Sequence, residues 1–92
     1  MGNENKNYMT LYNLLYSHYN EKQYLESCED YGYSLDKQTC IDKIQQLTNN
    51  KAQFNCSGGT ALQDFEVYHY IDENNKLHCY KIISSVLKVI NL

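Results

Sequence analysis

Four cysteines and three histidines are the side chains of this 92-residue chain that could do chemistry. Metal-binding cysteines usually come as closely spaced pairs, and none of the four forms such a pair. We therefore expect no metal and no other cofactor. An even number of cysteines in so short a chain is typical of a disulfide-stabilised secreted domain, and reduced, buried thiols are the alternative. The four are Cys28, Cys40, Cys56 and Cys79.

Two disulfides are compatible with the positions of these cysteines. Cys28 and Cys40 are close enough in sequence to form a clip that would stabilise the fold by about 3 kcal/mol. We favour Cys56 and Cys79 as the second pair, on the condition that the Ser-Gly-Gly segment after Cys56 folds back across the strands that follow. Four cysteines allow three connectivities, and the sequence alone does not choose among them.

The three histidines are the candidates for proton transfer. General acid–base catalysis needs an imidazole within hydrogen-bond reach of the proton that moves. His18 falls on the apolar stripe of a predicted helix, which favours a structural role. If Asn74-Asn75 is a two-residue turn, His69 and His78 share one face of a hairpin as diagonal neighbours, about 7–8 Å apart. We expect that face to be buried, so we assign no catalytic residue.

Two predicted helices precede this hairpin. The stripe of tyrosines and leucines in residues 8–20 repeats at three- and four-residue steps, which indicates an amphipathic helix. Residues 21–33 are predicted to be a connector that turns at Gly32. A second helix is predicted from Ser34, with Asp36 in its first turn, to about Asn49-Asn50, where asparagine tolerates a left-handed cap.

Two predicted strands, 62–71 and 76–83, form the antiparallel hairpin. The Asn74-Asn75 turn would place Tyr70 opposite Cys79. The tail, residues 84–92, is predicted to be an edge strand or a short helix. The expected fold class is therefore α+β, with two helices packed on a small antiparallel sheet or hairpin.

The charge balance limits the partners that this chain could bind. Eight Lys and Arg against eleven Asp and Glu give a net charge of −3. We expect no DNA binding, because proteins that hold DNA by its phosphates normally carry a basic excess. Apolar runs are too short to span a membrane, so we expect no membrane partner. Tyr68 and Tyr70 fall on the outer face of the predicted hairpin and are a candidate patch for a protein partner, with ordinary packing as the alternative.

The order of the segments resembles the C-terminal half of the ribonuclease T2 family, the secreted acid ribonucleases. A Tyr- and Leu-rich helix is followed by YGYSLDKQTCIDKIQQL and then by AQFNCSGGTALQDFEVYHYIDENNKLHCYK. Family members have a helix that begins Y-(S/T)-L, then a cysteine, a strand with aromatic residues, an Asp-containing turn and a further cysteine. The corresponding positions here are Tyr33-Ser34-Leu35, Ile41 to Leu47, Cys56, Leu62, Val67-Tyr68, Asp72 and Cys79.

This resemblance implies the C-terminal portion of an endoribonuclease that cleaves RNA through a 2′,3′-cyclic phosphate, in a secreted or lysosomal/vacuolar location and with RNA as partner. Both catalytic motifs of the family, H-G-L-W-P and H-E-W-x-K-H-G-T-C, are absent from the chain. We therefore predict that the chain is inactive alone, and we leave its assignment as an enzyme open. Tyr70 stands where many relatives have a cysteine, which leaves Cys79 without the partner that the family implies. The alternative function is a small disulfide-stabilised secreted binding module.

The N-terminus bears on the location of the protein. Residues 1–7 are polar and contain no apolar stretch of the signal-peptide type. We predict a disordered segment over 1–7 and a single, partial ribonuclease T2-like domain over 8–92. Either the chain is a piece of a longer secreted protein, or its cysteines are reduced. Asn55-Cys56-Ser57 fits the N-glycosylation acceptor pattern, which matters only if the chain is exported.

Overall fold

The described part of the chain, residues 7–90, forms a five-stranded antiparallel sheet with one helix on one of its faces. The structure is a computed structural model. Its elements are β1 (Tyr8–Tyr19), β2 (Leu25–Ser34), α1 (Lys37–Thr48), β3 (Gln53–Gly59), β4 (Gln63–Ile71) and β5 (Leu77–Lys88). The strand order is β2-β1-β5-β4-β3, so β5 is central and β2 and β3 are the two edges. The predicted fold of two helices packed on a small hairpin is therefore wrong.

Residues 8–19 form the strand β1, not the predicted first helix. All of β1 pairs with β5, from Tyr8 opposite Lys88 to Tyr19 opposite Leu77, and its other side pairs with β2. A strand inside a sheet can be apolar on both faces, and it then loses the alternation that identifies a strand. Its tyrosines and leucines therefore also fit a helical stripe. Pairing on both sides, together with the preference of tyrosine for strands, favours the strand.

Most of the predicted connector 21–33 is the edge strand β2. The turn between β1 and β2 is short, because the Asn20 N–H donates to the Tyr24 carbonyl at 2.9 Å. Gly32, the predicted turn residue, lies inside β2 with a φ of +97°. The register between β1 and β2 shifts at this point, so a bulge explains the need for glycine.

The second predicted helix is present as α1, and local capping sets its ends. Asp36 is the N-cap and accepts a hydrogen bond from the Gln38 N–H, so it lies just before the first turn and not within it. Asn49 ends the helix in the left-handed conformation, with φ 56°, and its N–H donates to the Gln45 carbonyl. Leu35, which falls within the helix predicted from Ser34, precedes α1 and is exposed.

The core lies between α1 and the sheet strands β1, β2 and β5. Ile44 is fully buried, and the Cys40 thiol donates to the Tyr12 carbonyl at 3.9 Å. The hydroxyl of buried Thr48 donates to the Ile44 carbonyl at 2.9 Å and accepts from the Ala52 N–H at 3.1 Å. Within residues 7–90, no helix combines the length and the apolar character needed to cross a membrane. The buried apolar residues are Leu14, Cys40, Ile44, Ala52, Tyr80 and Ile82.

The hairpin of β4 and β5 is present, but its register differs from the predicted one by one residue. Tyr70 lies opposite His78, not opposite Cys79. The turn is a five-residue loop, 72–76, and not a two-residue turn at Asn74-Asn75. The Asp72 carboxylate accepts from the N–H groups of Asn74 and Lys76 at 2.8 and 3.0 Å, which holds the loop in this longer form.

Two further segments differ from the predictions. Residues 53–59 are the edge strand β3, so the Ser-Gly-Gly segment after Cys56 is part of a strand and the chain turns only after Gly59. A Cβ at Gly59 would approach the Asp64 Cα to 2.4 Å, which excludes any larger residue there. The tail continues β5 to Lys88 at the centre of the sheet, and so it is neither an edge strand nor a helix. The predicted disordered segment 1–7 lies outside the described residues except for Asn7, whose carbonyl accepts from the Val89 N–H.

The two faces of the sheet differ in what covers them. Side chains of directly paired residues share a face, and successive residues alternate between the two faces. The face under α1, here called the helix face, carries Leu14 and Tyr80. The opposite face, here called the open face, carries half-buried Leu15, Val67 and Ile83, and no element of the described chain packs on it.

Candidate functional site

His18 and His78 meet on the helix face, whereas His69 lies on the open face. His18 of β1 is directly opposite His78 of β5, and the two rings stack with centroids 4.7 Å apart and planes inclined by 11°. Tyr70 of β4 lies on the other side of His78, with ring centroids 5.1 Å apart. The predicted association of His69 with His78 is therefore wrong, because a register shift of one residue moves a side chain to the other face.

A hydrogen-bonded chain of three side chains runs through His78. Asp72 Oδ2 lies 2.9 Å from His78 Nε2, and the Tyr16 hydroxyl lies 2.8 Å from His78 Nδ1. The hydrogen bond from His78 and those from the loop N–H groups lower the pKa of Asp72 to about 2. Asp72 is therefore ionised at neutral pH, and His78 Nε2–H donates to it. His78 Nδ1 is then left to accept from Tyr16.

Tyr16 is the protonated end of this series of hydrogen-bonded side chains. Burial, followed by the nearby Tyr31 and acidic groups that include Glu29, raises the pKa of Tyr16. Burial also raises the pKa of Tyr80, whose ring centroid lies 4.9 Å from that of Tyr16, to about 12. Both hydroxyls therefore stay neutral at physiological pH, and Tyr16 serves as a hydrogen-bond donor and not as a nucleophile.

This arrangement orients His78 and leaves neither of its own nitrogens ready for proton transfer. Both nitrogens of His78 are occupied by Asp72 and Tyr16. His18 Nδ1 faces Glu26 Oε1 at 3.6 Å, and His18 Nε2 is buried without a hydrogen-bond partner. The stacked rings leave no room for a phosphate between them. The geometry therefore supports a structural network and gives no positioned acid–base pair.

Sequence reasoning missed this network because it assigned His18 to a helix. A signal was present in the alternate positions of β1: Tyr12, Leu14, Tyr16 and His18 all fall on one face if the segment is a strand. Asp72 was noted only as a turn residue. Its contact with His78 depends on the five-residue loop, which brings the carboxylate back over the first residues of β5.

The cysteines differ from the predicted disulfides, since all four are free thiols. Cys28 is exposed on β2 opposite Ser17 and so belongs to the open face, whereas Cys40 is buried under α1 on the helix face. The sheet therefore separates the two thiols of the predicted Cys28–Cys40 clip. Burial, followed by the charge of Asp36, raises the pKa of the Cys40 thiol, which keeps it protonated.

Strand β4 lies between Cys56 and Cys79, the two cysteines of the second predicted pair. Cys56 pairs with Val67 on β4, and Cys79 pairs with His69 on the far side of the same strand. Two strand spacings put the Cα atoms about 10 Å or more apart, beyond the 7 Å or so that a disulfide can bridge. Burial and the nearby Cys56 raise the pKa of the Cys79 thiol.

Asn55, the predicted glycosylation acceptor, lies at a bulge in β3. It is exposed, and its side-chain nitrogen lies 3.1 Å from His69 Nδ1. Glycosylation at Asn55 stays a prediction.

Tyr68 and Tyr70 lie on the helix face of the sheet and not on an outer face. The Tyr68 hydroxyl donates to Glu66 Oε1 at 3.2 Å, and Lys37 of α1 contacts the same carboxylate at 2.8 Å. Burial, together with the Glu66 charge, raises the pKa of Tyr68. The aromatic side chain that is open to solvent here is Phe54, which is 56% exposed and packs edge-on against Tyr68 at 5.7 Å.

The outer edge of β3 is the second candidate site, and sequence reasoning missed it because 53–59 was not assigned to a strand. Every residue of β3 is exposed, and none carries a formal charge. A groove of about 560 Å³ opens where β3 begins. Its lining residues are Asn50, Lys51, Ala52, Gln53, His69, Tyr70, Ile71 and Glu73.

Comparisons of this chain with protein-family models, with curated proteins and with solved structures found no match. Within residues 7–90, no three side chains of the metal-ligating types come together in a way that could hold a metal ion.

Proposed function

We propose that this chain is a non-catalytic protein-interaction module that accepts an extended polypeptide strand along the outer edge of β3. The observation that carries the proposal is the combination of full exposure, absence of charge and an edge position in β3. Backbone N–H and C=O groups at a sheet edge recur at the strand repeat, and an added strand is the partner that satisfies them together.

The contrast between the two edges supports this choice. The other edge strand, β2, contains Glu26, Glu29 and Asp30, and its register with β1 shifts twice. Acidic side chains and bulges are the usual means by which proteins prevent pairing at an edge. β3 has one bulge and no charged side chain, so it is the edge that is open to an incoming strand.

Phe54 supplies side-chain recognition at this edge. In strand addition, backbone hydrogen bonds provide affinity, while pockets for alternate side chains provide specificity. Phe54 is held by Tyr68 with most of its ring surface in solvent, which gives an apolar side chain of the partner a place to pack. A protein partner at this edge would lie near Tyr68, but its contact would be with Phe54.

The ribonuclease T2 relationship, RNA as a partner and a secreted or lysosomal location stay predictions, since no comparison bears on them. The stacked pair of His18 and His78 supports structural use of these residues, because Asp72 and Tyr16 already occupy the nitrogens of His78. The net charge of −3 also favours a polypeptide over a polyanion as partner.

A display library of random ten-residue peptides tests the proposed function. Peptides selected on the folded chain are expected to shift the backbone amide resonances of β3 and to bind in an extended form. A lysine at an edge opposes strand addition, so Ser57→Lys is expected to weaken binding about tenfold or more. The matched variant Ser27→Lys, on β2, is expected to leave binding unchanged. Amide shifts that cluster elsewhere, or equal effects of the two variants, would contradict the proposal.

A further inference from the structure

We propose that two copies of this chain associate through their open faces, about a two-fold axis that lies between these faces and runs parallel to β1. This interface is distinct from the β3 edge. Strand β3 lies three strands away from β1 in the sheet, so the dimer would leave both β3 edges free to accept a strand.

The open face has the composition of a surface that is covered by another protein layer. Half-buried Leu15 and Ile83 lie on β1 and β5, two of the strands that the dimer would cover, and Leu87 near the end of β5 is 42% exposed. Domains normally bury both faces of an apolar sheet, and monomers rarely expose a continuous apolar patch of more than a few hundred Å². The other face already has α1, so the missing layer belongs on this one.

The charges on the open face indicate a second copy as the missing layer. Among the described residues, Lys81 and Asp30 are the two formally charged side chains that the strand register places on this face. The Lys81 ammonium lies over the Phe65 ring at 5.1 Å, and no carboxylate of the described chain is within ion-pair distance of it. Asp30 is likewise outside any ion pair, and it accepts hydrogen bonds from Asn13 and the Gly32 N–H.

These two charges are placed symmetrically about β1. Lys81 and Asp30 are the direct partners of Leu15 on its two sides, so each lies one strand spacing, about 4.8 Å, from the line of β1. A two-fold rotation about an axis that is parallel to β1 and lies halfway between the two sheets turns the second sheet face to face with the first and exchanges the two sides of β1. Lys81 of each copy then lies over Asp30 of the other, and the two Leu15 side chains meet on the axis.

The same rotation also brings together apolar side chains from the neighbouring paired positions of β2, β1 and β5. Leu77 and Leu25 flank Tyr19, and Ile83 and Tyr33 flank Asn13. The rotation therefore places Leu77 over Leu25 of the second copy, and Ile83 over its Tyr33. Leu25 and Tyr33 are 55% and 69% exposed in the single chain, and this contact would cover both.

The area of contact is that of a weak dimer. Strands β2, β1 and β5 overlap in this arrangement, which gives a patch about 14 Å wide and about 35 Å long, or about 500 Å² from each copy. The total of about 1,000 Å² is at the lower limit for a specific interface. We therefore expect a dimer that dissociates on dilution in the micromolar range.

Sedimentation equilibrium with charge-exchanged variants tests the interface. The wild-type chain is expected to be dimeric at high concentration and monomeric on dilution. Lys81→Glu and Asp30→Lys, each made alone, are expected to raise the dissociation constant about tenfold or more, because each places like charges opposite each other. The double variant is expected to return to within about threefold of wild type, since the pair is restored with its signs exchanged. Lys43→Glu, which makes the same charge change on α1 and so on the opposite side of the sheet, is the control.

A second measurement does not depend on the folding of any variant. Zero-length carbodiimide coupling of mixed ¹⁴N- and ¹⁵N-labelled wild-type chains is expected to yield an amide between Lys81 of one isotope and Asp30 of the other. A wild-type chain that stays monomeric at millimolar concentration would overturn the proposal, as would a dimer without this mixed-isotope amide. A double variant no better associated than the single variants, with both forms folded by circular dichroism, would also overturn it. If the wild-type chain binds peptides at β3 but does not dimerise, the dimer is rejected and the proposed function is retained.

Discussion

Removal of the Tyr16 hydroxyl is a direct test of the hydrogen-bonded chain from Tyr16 through His78 to Asp72. Tyr16→Phe keeps the ring, and with it the contacts to Tyr80 and His78, and removes only the donor that lies 2.8 Å from His78 Nδ1. The side chain of His78 is 16% exposed, so water reaches the freed nitrogen only in part.

The expected loss follows from this partial burial. A buried polar group left without its partner costs about 1–3 kcal/mol, and partial access of water places His78 in the lower half of that range. We expect Tyr16→Phe to lower the free energy of unfolding by about 1–1.5 kcal/mol. For a domain of this size, that is a fall in Tm of about 5–8 °C, or a shift of the urea midpoint by about 1 M.

A double-mutant cycle isolates the hydrogen bond from the packing. Urea unfolding followed by circular dichroism would be measured for wild type, Tyr16→Phe, His78→Phe and the double variant. Once His78 is absent, Tyr16→Phe is expected to cost less than about 0.5 kcal/mol, so the coupling energy is about 1 kcal/mol. Tyr24→Phe, at a side chain that is 68% exposed, is the control for loss of a hydroxyl. Equal losses for Tyr16→Phe in the two backgrounds would refute the network.

Three further predictions concern charge, core and thiols. Asp72 has a native pKa of about 2 against 3.8 in the unfolded chain. Between about pH 4 and pH 2 the unfolded chain therefore binds more protons, and stability falls as the pH is lowered. Urea unfolding of Asp72→Asn is expected to show a weaker pH dependence in that window, and an unchanged dependence would contradict the hydrogen bonds as the cause of the low pKa. Ile44→Ala, at a fully buried side chain, is expected to lower the free energy of unfolding by about 2–4 kcal/mol by thermal or urea unfolding, and a loss below about 1 kcal/mol would contradict the core. An aromatic disulfide reagent is expected to label Cys28 and Cys56 in the native chain and Cys40 only on unfolding; rapid native labelling of Cys40 would show that α1 does not cover it.

The elements that the sequence predicts correctly are those whose signals are local. Asn49 ends α1 in the left-handed conformation that was predicted, and Asp36, which was predicted within the first turn, starts the helix by accepting from an N–H two residues later. Both depend on chemistry within a few residues, so the helix can be read from its own segment. The hairpin of β4 and β5 could also be predicted, because alternating strand residues flank a cluster of turn residues.

The details on which the site depends could not be read in the same way. The five-residue loop that Asp72 holds, in place of a two-residue turn, exchanges the partners of every residue in the hairpin. That change of one position puts His69 on the open face and brings Tyr70 against His78. The helical assignment of residues 8–20 then hid the third ring of the stack, His18, because its position depends on pairing with β5.

The amino-acid sequence alone determined the small size, the acidic balance, α1 with its C-terminal cap and the presence of a hairpin, because each of these depends on composition or on neighbours in the chain. The tertiary structure decided that residues 8–19 are a strand, that the four cysteines are kept apart, and that β3 is an unprotected edge. Strand pairing joins residues far apart in sequence, and its register decides which face each side chain occupies. A segment that is apolar on both faces carries no local signal of that choice.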